Sequence, residues 1–357
     1  MKQKQLGLWV AQGVLGAVGM SAMMSAQAQT SVTLYGIIDT YMSFTNHGGS
    51  GDGGSSAKVK SGGLSPSRWG LRGTEDLGSG AKAFFTLENG FNQNGEAQQD
   101  GRLFGRLAMV GLEYDGHRVS LGRQYTFLHT ALALGAPGGF GGFEPQPPIV
   151  SGTNVRVDNS IQYVTDVGPV RLGASWGFGE QYGAVTNRAK WSLYAKYETG
   201  PVGISMAYDQ NNGARVDGDY SINRRFGVAM RYKATDDLTL FAAYRWSNAE
   251  TTILNQPRRD NLYWAGLTYN FTPATSVITG YYYMDVKENA AGRNAKNPWQ
   301  IQITPRYAFS KRTSVYANAT YSKNSALNFT SFGPMPDTLA PGRSSQMGFG
   351  VGIRHSF

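Results

Sequence analysis

The chain has 357 residues, of which 16% are charged and 12% aromatic, with 47 glycines and no cysteine. A mean hydropathy of -0.34 excludes a bundle of membrane-spanning helices, which needs repeated apolar runs of about 20 residues. The absence of cysteine excludes disulfide scaffolds, cysteine-bound metals and thiol nucleophiles. The formal charge of +9 leaves a nucleic acid or another anion open as a partner.

The first 28 residues have the three parts of a secretory signal peptide. Lys2 and Lys4 make a basic start, a mostly apolar stretch follows, and the small-residue sequence AQA ends it at 26–28. We predict cleavage after Ala28, which leaves residues 29–357 as the mature chain with a formal charge of +7, because both lysines are lost. The alternative is an N-terminal transmembrane anchor, against which the AQA end argues.

Beyond residue 28 apolar and polar residues alternate almost everywhere. In the last segment Phe349, Val351 and Ile353 alternate with glycines and Arg354, and a period of two is the pattern of a β-strand with two different faces. No segment keeps an apolar stripe of helical period for three turns, so we predict an all-β chain. Sixteen alternating segments lie near residues 31–44, 65–74, 81–91, 102–114, 118–124, 156–164, 170–179, 190–197, 202–211, 223–234, 238–248, 259–271, 275–287, 297–309, 313–323 and 345–357.

The connections between these segments are alternately short and long. Short turns and long loops at opposite ends, joined by an even number of strands about 10 residues long, are typical of bacterial membrane barrels. The fold class predicted is therefore all-β, a closed 16-stranded antiparallel transmembrane β-barrel with long external loops and short periplasmic turns. A soluble β-sandwich or propeller is the alternative, but the aromatic residues at the strand ends favour the two girdles of a membrane barrel.

Four motifs carry a resemblance to a known family. They are SVTLYG at 31–36, SRWGLRGTEDLG at 67–78, LGRQ at 121–124 and GVGIRHSF at 350–357. Over essentially the whole mature chain the sequence resembles the general porins of Gram-negative outer membranes, especially the β-proteobacterial group. The resemblance implies an outer-membrane homotrimer surrounded by lipopolysaccharide that passes small hydrophilic solutes and ions. It also implies that the terminal Phe357 is the signal that the barrel assembly machinery binds.

The longest connection, 125–155, is the third long loop. In the family this loop folds inward and constricts the pore, so we expect the same here. It contains GGFGGFEP at 138–145, with Glu144 as its only carboxylate, and the family's acidic motif is present only in altered order. Strong cation preference is therefore not expected. An external lid without any effect on the pore is the alternative.

Family constrictions place a ladder of arginines on the wall opposite this loop. By alternation Arg68 and Arg72 face the lumen together, Arg106 opposes Leu107, and Arg156 lies on the same face as Asp158. By resemblance Arg68, Arg106 and Arg156 match constriction positions and Arg123 matches a fourth. The alternative for each is a solvated lumen residue without a selective role. The predicted constriction residues are Arg68, Arg72, Arg106, Arg123, Arg156, Glu144 and Asp158.

The function that follows is an outer-membrane diffusion channel with mild anion selectivity. A substrate-specific channel for anionic solutes is the second hypothesis, and a barrel acting as adhesin or enzyme is the third. No cofactor, metal or catalytic residue is predicted, because the GASWG match to a hydrolase motif at 173–177 lies inside an alternating strand. Basic residues are spread over lumen and loop positions rather than one patch, so no nucleic-acid partner is expected.

Overall fold

A computed structural model describes residues 31–49, 53–98, 101–145, 155–182, 185–216, 219–249, 257–289, 296–332 and 339–357. The predicted signal peptide lies outside these residues. No helix in the described part of the chain is long and apolar enough to cross a membrane.

The described residues form seventeen strand segments and one short α-helix. They are β1 Ser31–Gly48, β2 Gly54–Ser61, β3 Arg68–Gly78, β4 Ala81–Gly90, β5 Leu107–Tyr114, β6 His117–Tyr125, α1 Phe127–Ala133, β7 Arg156–Val167, β8 Val170–Gly177, β9 Lys190–Thr199, β10 Val202–Val216, β11 Asp219–Lys233, β12 Leu238–Asn248, β13 Pro257–Asn270, β14 Thr275–Asn289, β15 Trp299–Ala308, β16 Thr313–Lys323 and β17 Ser345–Ser356. A 3-10 helix, Leu327–Phe332, precedes β17.

The sheet closes on itself, because β17 pairs antiparallel with β1. From β3 onward each strand also pairs with the next along the chain, and β2 and β3 share one strand position beside β1. The predicted closed 16-stranded antiparallel barrel is therefore confirmed. Along β17 the outward-facing Val351 and Ile353 are 60% and 52% exposed. Apolar side chains this exposed on a continuous surface suit contact with lipid rather than water.

The second strand of the barrel is interrupted, and the prediction that 45–64 is entirely loop was wrong. Both β2 and β3 pair with β1, above and below a break at 62–67. The buried Asp39 carboxylate of β1 fills the break: it accepts hydrogen bonds from the backbone N–H groups of Gly63 and Leu64, at 3.1 and 2.8 Å, and from the Tyr316 hydroxyl at 2.5 Å. These bonds replace the ladder bonds that the break removes.

The third long loop contains helix α1, which has only seven residues and is too short to show an apolar stripe over three turns. Its apolar residues Phe127 and Leu132 pack on the inner wall over glycines. A Cβ on Gly227 would lie 2.8 Å from the Leu132 side chain, and one on Gly173 would lie 2.7 Å from the Phe127 ring. Small residues on the inward face of β8 and β11 therefore make room for the loop.

Candidate functional site

Inside the barrel lies a cavity of about 1360 Å³. One side is formed by Arg68, Glu88, Arg106 and Arg156 of the barrel wall and its loops, and the other by residues 139–144 of the third loop. This is where we expected the constriction. The charged side chains of the wall and the carboxylate of the loop differ in their hydrogen-bond partners and in their exposure to the cavity.

Glu88 of β4 joins two of the predicted arginines. Its Oε1 lies 2.6 Å from Arg106 Nε, and its Oε2 lies 3.5 Å from Arg68 Nε. The Tyr35 hydroxyl donates to the same Oε2 at 3.0 Å. The Arg106 contact is a hydrogen bond between charged groups, which is stronger than a neutral one, and the Arg68 contact is an ion pair. Both guanidinium groups are therefore held against the wall.

Tyr125 joins the third arginine to this group. Its hydroxyl accepts a hydrogen bond from Arg106 Nη2 at 2.6 Å and from Arg156 Nη2 at 3.1 Å. The Arg156 guanidinium also lies 4.6 Å from the centre of the Tyr125 ring, and its Nε donates to the Arg106 carbonyl at 2.8 Å. Arg68, Arg106 and Arg156 with Glu88 therefore form one array, which we call the arginine cluster, with a formal charge of +2.

Arg106 reaches this cluster for a reason other than the predicted alternation. β5 begins at Leu107, five residues after the predicted start, and Leu107 pairs with the lumen-facing Glu88. Leu107 therefore faces inward, and Arg106 reaches the lumen because it precedes the strand. From this position the Arg106 carbonyl accepts the hydrogen bond from Arg156, and the Arg106 guanidinium binds Glu88.

Arg72 lies apart from the cluster. It is four residues further along β3, about 13 Å toward the short turns at 3.3 Å per residue. Its guanidinium lies 5.2 Å from the centre of the Tyr35 ring, and its side chain is exposed. Arg72 shares the lumen face with Arg68 but does not touch Glu88 or Tyr125.

Arg123 and Asp158 form a second group. Arg123 is bonded to the Asp158 carboxylate and donates to the Gly105 carbonyl at 2.7 Å, and Arg102 lies 2.9 Å from the same carboxylate. Alternation placed Arg156 and Asp158 on the face of Ser160, but a positive φ angle at Asn159 and a register shift beside Gly122 change the phase between Asp158 and Ser160. This group does not line the cavity within the described residues.

Glu144, the carboxylate of the third loop, is buried and only 2% exposed. It accepts hydrogen bonds from the backbone N–H groups of Gly138 at 2.9 Å and Phe140, and from the Tyr282 hydroxyl of β14 at 2.6 Å. Burial raises the pKa of the Glu144 carboxyl, while these donors act in the opposite direction. The carboxylate binds the loop to the wall and presents little surface to the cavity.

Other bonds continue this attachment around the inner wall. Ser205 of β10 donates to the Ala131 carbonyl at 2.7 Å, and Trp264 of β13 donates to the Gly135 carbonyl at 2.8 Å. Gln300 of β15 donates to the Phe143 carbonyl at 3.0 Å. At the tip of the loop the Gly142 N–H donates to the Gly62 carbonyl at 2.8 Å, so the tip contacts the break of the second strand.

Two lysines were missed because 45–64 was predicted to be loop. Lys58 and Lys60 of β2 pair with Ser43 and Tyr41, whose side chains face the lumen, and both lysines line the cavity. Alternation of Lys58 and Lys60 with Val59 was the available signal. Glu88 was missed too, although a carboxylate in phase with lumen residues of a spanning strand was visible in the sequence.

His129 adds no charge to the cavity at neutral pH. Its ring stacks on Tyr125 with centroids 4.8 Å apart, and burial, Arg156 and Arg106 lower the pKa of His129 to about 3.

Because the His129 ring stays neutral, ion selectivity should stay constant between pH 8 and pH 5, measured as reversal potentials in planar bilayers. The unfolded chain binds this proton at an ordinary pKa of about 6.5, so His129 lowers folding stability as pH falls below that value. A rise in anion selectivity with a midpoint near 6 that His129→Gln abolishes would contradict the assignment of a neutral ring.

The described residues contain no group of three histidine or acidic side chains placed to hold a metal ion. The GASWG stretch lies within β8, and its Ser175 hydroxyl is 2.6 Å from that of Ser192 on β9. It is therefore part of a strand rather than of the strand-turn-helix that a hydrolase nucleophile needs.

Comparisons with known proteins agree with this architecture. The family model described as Gram-negative porin matches residues 14–327. An outer membrane porin of Bordetella pertussis is 30% identical over the whole of both chains, and outer membrane porin protein 32 of Delftia acidovorans is 31% identical over 98% of this chain and 99% of its own. The solved structure described as an anion-selective porin from Comamonas acidovorans has a TM-score of 0.78 and 26% identity, over 92% of this chain and all of its own.

The chain belongs to the Gram-negative porin family. It is a β-barrel channel of the outer membrane, and it is not an enzyme.

Proposed function

We propose that this porin is a general diffusion channel with mild anion selectivity, and that the arginine cluster produces the selectivity. The observation that carries the proposal is the asymmetry of the cavity. Three guanidinium groups and one carboxylate lie on the wall, while the loop's Glu144 is buried. The similarity to the Comamonas acidovorans porin described as anion-selective supports it.

The size of the effect follows from Coulomb's law. An anion about 5 Å from one guanidinium gains roughly 1–3 kcal/mol for an effective dielectric constant between about 80 and 20. Each 1.4 kcal/mol corresponds to about a tenfold change in an equilibrium constant. A cluster with a formal charge of +2 can therefore enrich anions several-fold without binding them tightly.

The third loop, 125–155, is the second element of the proposal. Its attachment to β10, β13, β14 and β15 leaves the cavity between the loop and the arginine cluster, so we infer that this loop constricts the pore there. Arg123 and Asp158 lie beside this constriction, and Arg72 lies below it.

We also propose that residues 1–28 are removed on export and that 29–357 form the channel.

The test of the proposal is the reversal potential of the wild-type channel across a planar bilayer under a KCl gradient. Anion preference is expected, and clear cation preference would contradict the proposal.

A substrate-specific anion channel is the second candidate, favoured by the rigid bonding of Arg106 and Arg156 to Tyr125. Swelling of liposomes in sugars of graded size separates the two, because a cutoff set by size alone indicates general diffusion.

The lysines of β2 extend the basic wall toward the extracellular mouth. Changing Lys58 and Lys60 together to glutamine should weaken anion preference in 0.1 M KCl and have little effect in 1 M KCl, because the Debye length falls from about 10 Å to about 3 Å. The measurement is the reversal potential at both ionic strengths.

Lys287 and Lys323 provide a matched control for the lysine pair. They are at the same end of the barrel but on its outer face, in phase with the exposed Tyr281 and with Tyr321. Their replacement by glutamine removes the same charge and should leave selectivity unchanged. Equal effects of the two double variants would refute a role for the lumen lysines.

Assembly completes the proposal. We infer a homotrimer that associates through the outer face of β1 and β17, where Ile38, Met42, Val351 and Ile353 are exposed; a related porin fold from Vibrio cholerae has been solved in a trimer form. The Phe357 ring packs over Gly36 at the closure of the barrel. This exposed end of an apolar strand fits the proposed recognition by the barrel assembly machinery, and lipopolysaccharide would surround the rest of the rim.

A further inference from the structure

The outer face of the barrel carries a polar and basic row across five neighbouring strands, in their halves nearer the long loops. Direct pairing connects each member to the next, from β9 to β13. Residues paired in this way share a face of the sheet. The row consists of Trp191, Gln210, Arg224, Asn248 and Arg259.

This row faces outward rather than into the lumen. The next residues along the same strands, Asp209, Arg225 and Asp260, are buried on the inner face, and neighbours along a strand point to opposite sides. Arg224, Asn248 and Arg259 are exposed. Arg224 Nε lies 3.4 Å from the Gln210 side-chain oxygen.

Beneath the row the outer face becomes aromatic. Tyr208, Phe226 and Trp246 form the next row, and Tyr244, Tyr263 and Tyr283 lie in the row after that. The Tyr244 and Tyr263 rings are 5.1 Å apart, and Tyr263 and Tyr283 are 6.4 Å apart. Aromatic rows of this kind mark the boundary between the apolar core of a membrane and its headgroups.

The basic row therefore lies at headgroup level, on the side of the long loops. Arg224 and Arg259 are two strands apart, about 10 Å between their backbones, and the Asn248 amide lies between them. Guanidinium groups bind phosphate through paired hydrogen bonds. Glu288 of β14 pairs directly with Arg259 and brings one carboxylate to the end of the row, so Arg224, Arg259 and Glu288 together have a formal charge of +1. In the next row Asp285 lies 2.6 Å from Lys287, so its charge is already balanced.

We propose that Arg224, Asn248 and Arg259 bind the phosphate of an anionic lipid headgroup of the outer leaflet, with its acyl chains along Trp246 and the tyrosines below. The site deepens the proposed lipopolysaccharide contact by assigning it to β11–β13, and it does not depend on ion selectivity. On the opposite side of the barrel the outward residues Met42, Phe44 and Val59 are apolar. Lipid phosphate and the second subunit therefore occupy different sides.

The experiment compares lipopolysaccharide binding by the purified porin and by Arg224→Gln plus Arg259→Gln in neutral detergent. With a contribution of about 1 kcal/mol from each basic residue near an anionic surface, the double variant should bind roughly 10- to 30-fold more weakly. Lys311→Gln plus Arg312→Gln, which removes the same charge from the turn at the opposite end, is the control and should bind like the wild type. Arg224→Lys plus Arg259→Lys keeps the charge and should restore most of the binding.

Two further arms identify the source of the phosphate. Dephosphorylated lipopolysaccharide should bind wild type and double variant equally, and inorganic phosphate should not displace the intact lipid at matched ionic strength. Displacement by inorganic phosphate would make the row a site for free phosphate and overturn the lipid assignment. Wild-type binding by a double variant that still forms channels would overturn the site itself, whereas the KCl reversal potential tests the proposed function separately.

Discussion

Changing Arg68 and Arg106 together to glutamate should convert the channel from anion-preferring to cation-preferring. The arginine cluster has a formal charge of +2 from three arginines and Glu88, and the double change makes it -2. Because an ion about 5 Å from one charge gains or loses roughly 1–3 kcal/mol, the sign of the reversal potential under a KCl gradient should reverse. This is the largest change in selectivity that we expect from two substitutions.

Arg106 is buried beside Glu88, so the double glutamate variant can fail to fold. A series of variants with graded cluster charge therefore tests the same prediction with milder changes. Glu88→Gln raises the cluster charge to +3, and Arg68→Gln plus Arg106→Gln lowers it to zero. Reversal potentials should follow the order of cluster charge in all variants that form channels. Lys311→Glu plus Arg312→Glu makes the same total change in a turn and should have little effect, and a selectivity that ignores this order would disprove the role of the cluster.

Changing Glu144 to alanine should detach the third loop and give a larger, less selective conductance. The carboxylate accepts hydrogen bonds from Gly138, Phe140 and Tyr282 in a buried setting. Leaving buried donors without partners costs about 1–3 kcal/mol for each group, so the segment around Glu144 should leave the wall. Single-channel recording measures the conductance, and denaturant unfolding measures the loss of stability.

Tyr282→Phe is the milder companion variant. It removes one donor and leaves the backbone bonds to Glu144, so the loss should be about 1 kcal/mol and the conductance should change little. Tyr244→Phe is the matched control: its hydroxyl donates to Asn261 at 2.8 Å on the outer face, far from the loop. A Glu144→Ala channel with wild-type conductance would show that this carboxylate does not hold the loop.

The strands could be predicted because each one faces two solvents. Lipid on one side and water on the other impose alternation on every segment, which is visible in residues such as Phe349 to Arg354 without any knowledge of their neighbours. In the structure Arg68 lines the cavity. Alternation failed where the backbone leaves the regular pleat, as it does at Asn159, with a φ of 48°, and before β5.

The partners of the lumen charges could not be predicted from alternation. Glu88 and Arg106 are 18 residues apart, and their contact depends on the register of β4 and β5 and on the start of β5 at Leu107. A register shift of one residue reverses the face of every side chain, so such a pair is decided by hydrogen bonding between strands. Family motifs identified the arginines but not the carboxylate between them.

The sequence by itself determined the barrel, its strand number and the lumen bias toward positive charge, because alternation and composition are properties of single segments in contact with solvent. Only the tertiary structure decided that Glu144 is an anchor, that the second strand is broken to hold the tip of the third loop, and that Lys58 and Lys60 line the cavity. These features depend on contacts between residues far apart in the chain. Closing the barrel brings those residues together, and no local pattern contains that information.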